Sequence, residues 1–522
     1  MLKKVFKLNF KIVVIALLSL VLLQLITAYV FGFITKTQVD IQFKQMTDSP
    51  LIQVKQHKYH RGLFSSDATT EISLNSQVLS KVLNVLPKSD SESIAAIDDK
   101  TYSIKYTTHI EHGIFAGILN GYFVPTLAYA KTTIIYPDKV KTVLSRFFNN
   151  QPPVSIDNLI YINKSGRFLI HSPKFDYSEA VSGVKVTWGG MDMLLKYNDA
   201  FNKFNTQLSV PLFELIAPTK GSALIKSLVY HSDSSNSINN IKVGDTQLTL
   251  DEARVEWTDK IAIGFKVGDL LHLFTGISSI EFLNGIDAID PNSFKFTKIS
   301  YMSDSHDKNN FFNASADVKF ESLVTNGKLY GPMDLSLGIS HLDSKAFSQL
   351  IDKIADISAT PEPTDPKGQA MAKAQFIKVL KQNFGPILVQ QPILQLKRFN
   401  LSTPDGLIDI SGNATTNNFT LADMSDQKKF MQHLVLDVNI SVPKPILSYL
   451  FVLQMQYLLS AGNAQMDKQS SEALTKVVNI LLDNQISIWS KKGYITQSDS
   501  LLVTHIAVKD GKVLLNDKEA GE

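Results

Sequence analysis

Two histidine pairs, His57 with His60 and His109 with His112, stand at the H-x-x-H spacing. On a helix that spacing sets both imidazoles on one side, as a zinc ion requires. Both pairs fall in alternating, strand-like sequence, where an odd offset sends the two side chains to opposite faces. Neither pair can chelate by itself, which leaves a site assembled across strands as the open alternative. The S-x-x-K spacing of serine acylating enzymes recurs at Ser182/Lys185, Ser305/Lys308, Ser425/Lys428 and Ser441/Lys444, and none of these opens a helix. His341 and Asp343 share a strand face but have no nucleophile beside them, so a surface contact is their expected role. Tyr59 and Arg61 also share a face; the guanidinium is expected to pair with a buried carboxylate and so fix a bend at Gly62, the alternative being capture of an anionic group. The chain contains no G-x-S-x-G, no H-E-x-x-H, no phosphate-binding glycine loop and no dinucleotide fingerprint. No catalytic residue, cofactor-binding residue or metal ligand is therefore assigned.

The element that positions everything else is Ile12 to Ile34, a stretch without a charged residue, preceded by Lys3, Lys4, Lys7 and Lys11. As a helix it is long enough to span a bilayer, and the lysines before it predict a cytoplasmic N-terminus with the rest exported. Bulky residues at its exit (Tyr29, Val30, Phe31) argue against a cleaved signal, so an uncleaved signal anchor is expected. Without its four N-terminal lysines the chain, +3 overall, is nearly neutral, which removes the electrostatic basis for nucleic-acid binding. With no cysteine there is no disulfide and no thiolate, and the 44% hydrophobic content must supply the core.

Beyond the anchor, Lys36 to Met46 reads as a short helical stalk ended at Ser49-Pro50. Alternation then takes over. Tyr59 to Ser66 links two strands through a bend at Gly62; Tyr102 to Ile110 is a third strand, and Met333, Leu335, Leu337 and Ile339 form a one-sided one. One amphipathic strand after another with short turns predicts an antiparallel sheet. Met191 to Phe204 and Ala346 to Ile357 read as helices crossing it. Ser358 to Lys367, with three prolines, reads as a linker, followed by a helix from Gln369 ended by Gly385-Pro386. Asp405-Gly406 predicts a hairpin pairing Thr403 with Ile408, and Asp510-Gly511 one pairing Val508 with Val513. Two further helices are expected at Pro445 to Ser460 and Ser470 to Asp483, the second capped by its serine.

Tyr59-His60-Arg61-Gly62 with Phe64-Ser65-Ser66, just past an N-terminal anchor, and His112-Gly113-Ile114-Phe115 after a later strand resemble the YdgA-like family of bacterial envelope proteins. The likeness continues in Gly331 to Ile339, Leu342-Asp343 with Ala346-Phe347, and Asp510 to Asn516; Ile114 stands where the family pattern has proline. The resemblance implies a Gram-negative inner-membrane protein facing the periplasm, with no established activity. It singles out Tyr59, Arg61, Gly62, Phe64, Ser65, Ser66, His112 and Gly113 as motif positions with an expected structural role.

The expected fold is α+β, mainly β: an N-terminal transmembrane helix, then an extended, curved antiparallel sheet with a few packed helices. The expected divisions are a cytoplasmic N-terminus (1–11), anchor (12–34), stalk (35–50), β-rich exported domain (51–357), Pro-rich linker and helix (358–385), and C-terminal hairpins with two helices (386–522). Function is expected to be non-enzymatic: a scaffold or binding protein in contact with the bilayer through residues 12–34, with an apolar groove for lipid or for an envelope protein partner. The alternative is an envelope hydrolase with a cross-strand His/carboxylate site.

Overall fold

The computed structural model describes residues 2–47, 52–74, 103–257, 293–325, 327–358, 366–459, 468–498 and 500–520. Most of the Pro-rich stretch expected as a linker lies outside the described residues. Helix α1 (Leu2–Thr47) is continuous, so the expected anchor and stalk are one rod. It is the one helix among the described residues long and apolar enough to cross a membrane.

All described strands belong to one antiparallel sheet, and its order nearly follows the chain. Strands β1 (Ile52–Arg61), β2 (Ser65–Leu74), β3 (Ser103–His112), β4 (Ala128–Ile135), β5 (Ser155–Ile160) and β6 (Gly166–Ser172) pair in succession. The hairpin of β7 (Phe175–Ser178) and β8 (Lys185–Trp188) pairs through β8 onto residues 213–216 of the next long strand, while β6 pairs with β9 (Met191–Tyr197). The long strands β10 (Lys203–Ala217), β11 (Gly221–Asn236), β12 (Lys242–Trp257) and β13 (Ser293–Lys308) follow, then β14 (Phe311–Phe320). A side hairpin, β15 (Ser322–Thr325) with β16 (Lys328–Tyr330), pairs onto β13. The ladder resumes through β17 (Met333–Asp343), β18 (Ile393–Thr403), β19 (Gly406–Thr416) and β20 (Leu434–Pro443). It closes with β21 (Thr496–Ser498), β22 (Leu501–Lys509), β23 (Lys512–Leu515) and β24 (Lys518–Glu519). Strands on either side of residues 358–385 therefore pair directly, β17 with β18.

Among the described residues the other α-helices are α2 (Ala116–Leu119), α3 (Asp138–Phe147), α4 (Ser344–Ser358), α5 (Pro366–Val389), α6 (Gln427–His433), α7 (Lys444–Leu459) and α8 (Lys468–Lys492). Three of the packed clusters sit on one face of the sheet, found by following register partners from strand to strand. At one end Phe31, Ile34 and Val39 of α1 cover Ile110 and Ala130. Farther along, Ala346 and Leu350 of α4 and Ile387 of α5 cover Phe312 and Leu342. Near the far end Leu482 and Ile486 of α8 cover Leu502.

Four expectations change. Met191 to Phe204 is not a helix: Met193, Leu195 and Tyr197 alternate onto one face of β9, and pairing on both sides overrides the helical preference of Met and Leu. Gly385-Pro386 does not end α5, which runs on to Val389 because Ile387, 1% exposed, is buried under the last turn. Ser470 is no cap, since α8 starts at Lys468. In the first predicted hairpin Pro404-Asp405 takes the two central turn positions, so Thr403 faces Gly406 and Leu401 faces Ile408, two residues from the expected register. The second has its expected register, Val508 opposite Val513.

Candidate functional site

The motif positions gather around α1. Gly62 closes the β1–β2 bend, its N–H donating to the Ser65 carbonyl at 2.8 Å; a Cβ there would lie 2.7 Å from that oxygen, so only glycine fits. The bend turns Arg61 onto the helix, where a ring and a carbonyl take the place of the expected carboxylate: its guanidinium stacks 3.5 Å from the Phe33 ring centroid and donates to the Tyr29 carbonyl at 3.0 Å. Tyr59, like Val39 of the helix, packs against the buried cluster around Ile110. Ser66 and His112, each 1% exposed, meet beneath the helix with Oγ and Nε2 3.1 Å apart. The backbone carbonyl of Phe64 accepts from His112 N–H, and Ser65 pairs with Glu111 across β2 and β3. Gly113 has φ of +120°, and a Cβ there would run into the Gln24 amide.

The helix side of this socket was not legible in the motifs. Gln24 lies halfway along the uncharged stretch, and its amide donates to the His112 carbonyl at 3.1 Å and accepts from Phe115 N–H at 3.3 Å. Gly32 is the close-approach point: a Cβ there would sit 2.7 Å from His112 Nδ1 and 3.2 Å from Arg61 Nε. The signals that could have found them are a lone Gln and a lone Gly inside an apolar helix that must touch something.

Ser66 and His112 have the spacing of a nucleophile and its base, yet the arrangement cannot work as one. Both are covered by α1, and among the described residues His112 Nδ1 finds no hydrogen-bond partner to orient the ring. Burial, helped by the nearby Arg61 charge, pushes the His112 imidazole down to about 4. The fold therefore holds neutral His112, while the unfolded chain takes a proton at the ordinary value near 6.5. Because the folded value is depressed, the unfolded state binds more protons between these values, so stability is complete above about pH 6.5. It falls as pH drops from there towards 4, by up to about 3 kcal/mol. Thermal unfolding in neutral detergent between pH 7.5 and 4 is expected to show this slope, and His112→Gln to flatten it; an unchanged slope would remove His112 as its source.

The remaining histidines divide by face. His57 lies on the helix side, stacked 4.1 Å from Phe43. His60 and His109 are both register partners of Asp67, on the opposite face, and His109 Nδ1 lies 2.7 Å from the Asp67 carboxylate. His341 lies against the Gln390 carbonyl at 2.7 Å. On that opposite face the sequence motifs missed His231, Asp233 and Asp245, whose ligand atoms lie within 4.8 Å of one another. The even offset of His231 and Asp233 was the available clue. Asp233 already accepts from Asn205 at 2.6 Å and lies 3.1 Å from His231 Nε2.

The helix-bearing face has a different character. Register partners place Ile156, Ile170, Met193, Leu208, Tyr230 and Leu248 side by side across β5 to β12. The row continues through Tyr301, Val318, Leu335, Phe399, Ile410 and Ile440 on β13 to β20. At the interstrand spacing this apolar row is about 50 Å long. Each member is only half-buried, and Leu337 and Leu394 beside it are 42% and 46% exposed. In the other direction the row leads through Thr132, Thr108 and Ala68 to Tyr59, under α1. The reverse face carries Asn205, Asp233, Asp245 and Asp304 as consecutive partners.

A family model described as a bacterial protein of unknown function (DUF945) matches residues 8–520. No curated protein matches the chain.

Proposed function

The chain belongs to the bacterial DUF945 family of unknown function, and from that premise we propose a membrane-tethered, non-enzymatic envelope protein that holds lipid acyl chains against the apolar face of its sheet. In this reading it is the protein that the YdgA-like motifs imply: a Gram-negative inner-membrane protein crossing once through residues 12–34, its body in the periplasm. The lysines before α1 support that location.

The observation that carries the lipid reading is the continuous half-buried row from Ile156 to Ile440, on the face of the sheet that also carries the membrane helix. Apolar surface of this extent is not normally left to water, and its place on the face that carries the membrane helix favours lipid over a soluble partner. Native mass spectrometry of gently extracted full-length protein is expected to show retained phospholipid; protein stripped clean under the same conditions would overturn the reading. The same spectra address the hydrolase alternative, which has His231, Asp233 and Asp245 in its favour. A divalent metal held in place of lipid would support that alternative.

A further inference from the structure

We infer that the β1–β2 bend and the loop between β3 and β4 insert into the acyl-chain region of the leaflet on the sheet's side, alongside α1. The first observation is one of level. Along α1 the contacts run from Phe43 beside His57, through Phe33 beside Arg61, to Gln24 at the His112–Phe115 turn. The tips of β1 to β4 thus reach Gln24, near the middle of the uncharged stretch Ile12 to Ile34. That stretch needs nearly its whole length to cross a hydrocarbon core of about 30 Å, so a loop docked at Gln24 lies below the lipid surface.

The second observation is what the tips expose. Residues 113–127 (GIFAGILNGYFVPTL) contain no charged side chain. Phe123 is 90% exposed, Leu119 74%, Leu63 53% and Phe64 46%, an apolar cost in water but the expected surface in lipid. The third observation is polar satisfaction, which hydrocarbon demands of any non-helical backbone. Gly113 N–H donates to the Leu127 carbonyl, Thr126 N–H to the Ile114 carbonyl, and Gly117 N–H to Thr126 Oγ1. The Gln24 amide, costly alone at the bilayer centre, is used on both sides by the loop itself.

Insertion would fix the α1 end of the sheet at the leaflet. This extension rests on the lipid-binding reading, but it concerns the position of the tips and not what the row holds. The chain's lack of cysteine makes the test direct. Phe123→Cys, at an exposed tip, and Val181→Cys, 97% exposed on the β7–β8 turn, are each labelled with an environment-sensitive fluorophore in full-length protein reconstituted into phosphatidylcholine vesicles. Nitroxide placed along the acyl chains is expected to quench the Phe123 label about twofold or more and to leave the Val181 label unchanged. Aqueous iodide is expected to do the reverse. A Phe123 label that iodide reaches as readily as the Val181 label would overturn the insertion. Loss of retained lipid in native spectra with this quenching intact would instead count against the groove alone.

Discussion

Gly32→Leu is expected to lift α1 from the sheet, costing about 1–3 kcal/mol as an overpacked contact. The new side chain has nowhere to go: even its Cβ would lie 2.7 Å from His112 Nδ1, and the ring is fixed by Ser66 on its other side. The change keeps the segment apolar, so membrane insertion itself is not weakened. Faster amide exchange along β3 in the reconstituted protein, confined to β1–β4, is the readout. In a His112→Ala background, where the ring is gone, Gly32→Leu is expected to cost less, and the difference measures the contact. Equal costs in both backgrounds would show that Gly32 is not the docking point.

The other large effect is expected on the sheet. Leu208→Glu with Leu248→Glu places two carboxylates two strands apart in the apolar row, flanking Tyr230. Both positions are half-buried, so the ladder has room to keep its hydrogen bonds while the acyl-chain surface is interrupted. Retained lipid is expected to fall about tenfold, equivalent to about 1.4 kcal/mol. The control is Val229→Glu with Met302→Glu: these residues, 47% and 43% exposed, lie on the reverse face and should leave retention unchanged. Equal losses from the two pairs would point to general destabilisation and remove the row as the binding surface.

Alternation and turn chemistry were local, and they were readable. Asp510-Gly511 specifies its register because both residues adopt positive φ, whereas the Pro404 ring claims a turn position and moves the neighbouring hairpin by two residues. An even shift leaves every side chain on its face, so the apolar pattern is the same in either register. Met191 to Phe204 was harder, because Met, Leu and Lys carry helical preference and only the partners on β6 and β10 make the segment a strand. The socket could be noticed but not interpreted. Its residues stand out as motifs, yet their meaning depends on Gln24 meeting residues 88 and more positions away. The row across the sheet likewise exists only once a dozen registers are known, since no single strand carries more than one of its members.

The sheet's near-sequential order bears on how such a body can be made. Almost every strand's partner is the one just synthesised, so each completed edge templates the next addition. A chain held by α1 can place β1 to β4 against the helix first and then lengthen outward one strand at a time. Assembly and reach are thus coupled, since a hairpin added to or removed from the middle would change the span by about 10 Å while leaving the helix socket untouched.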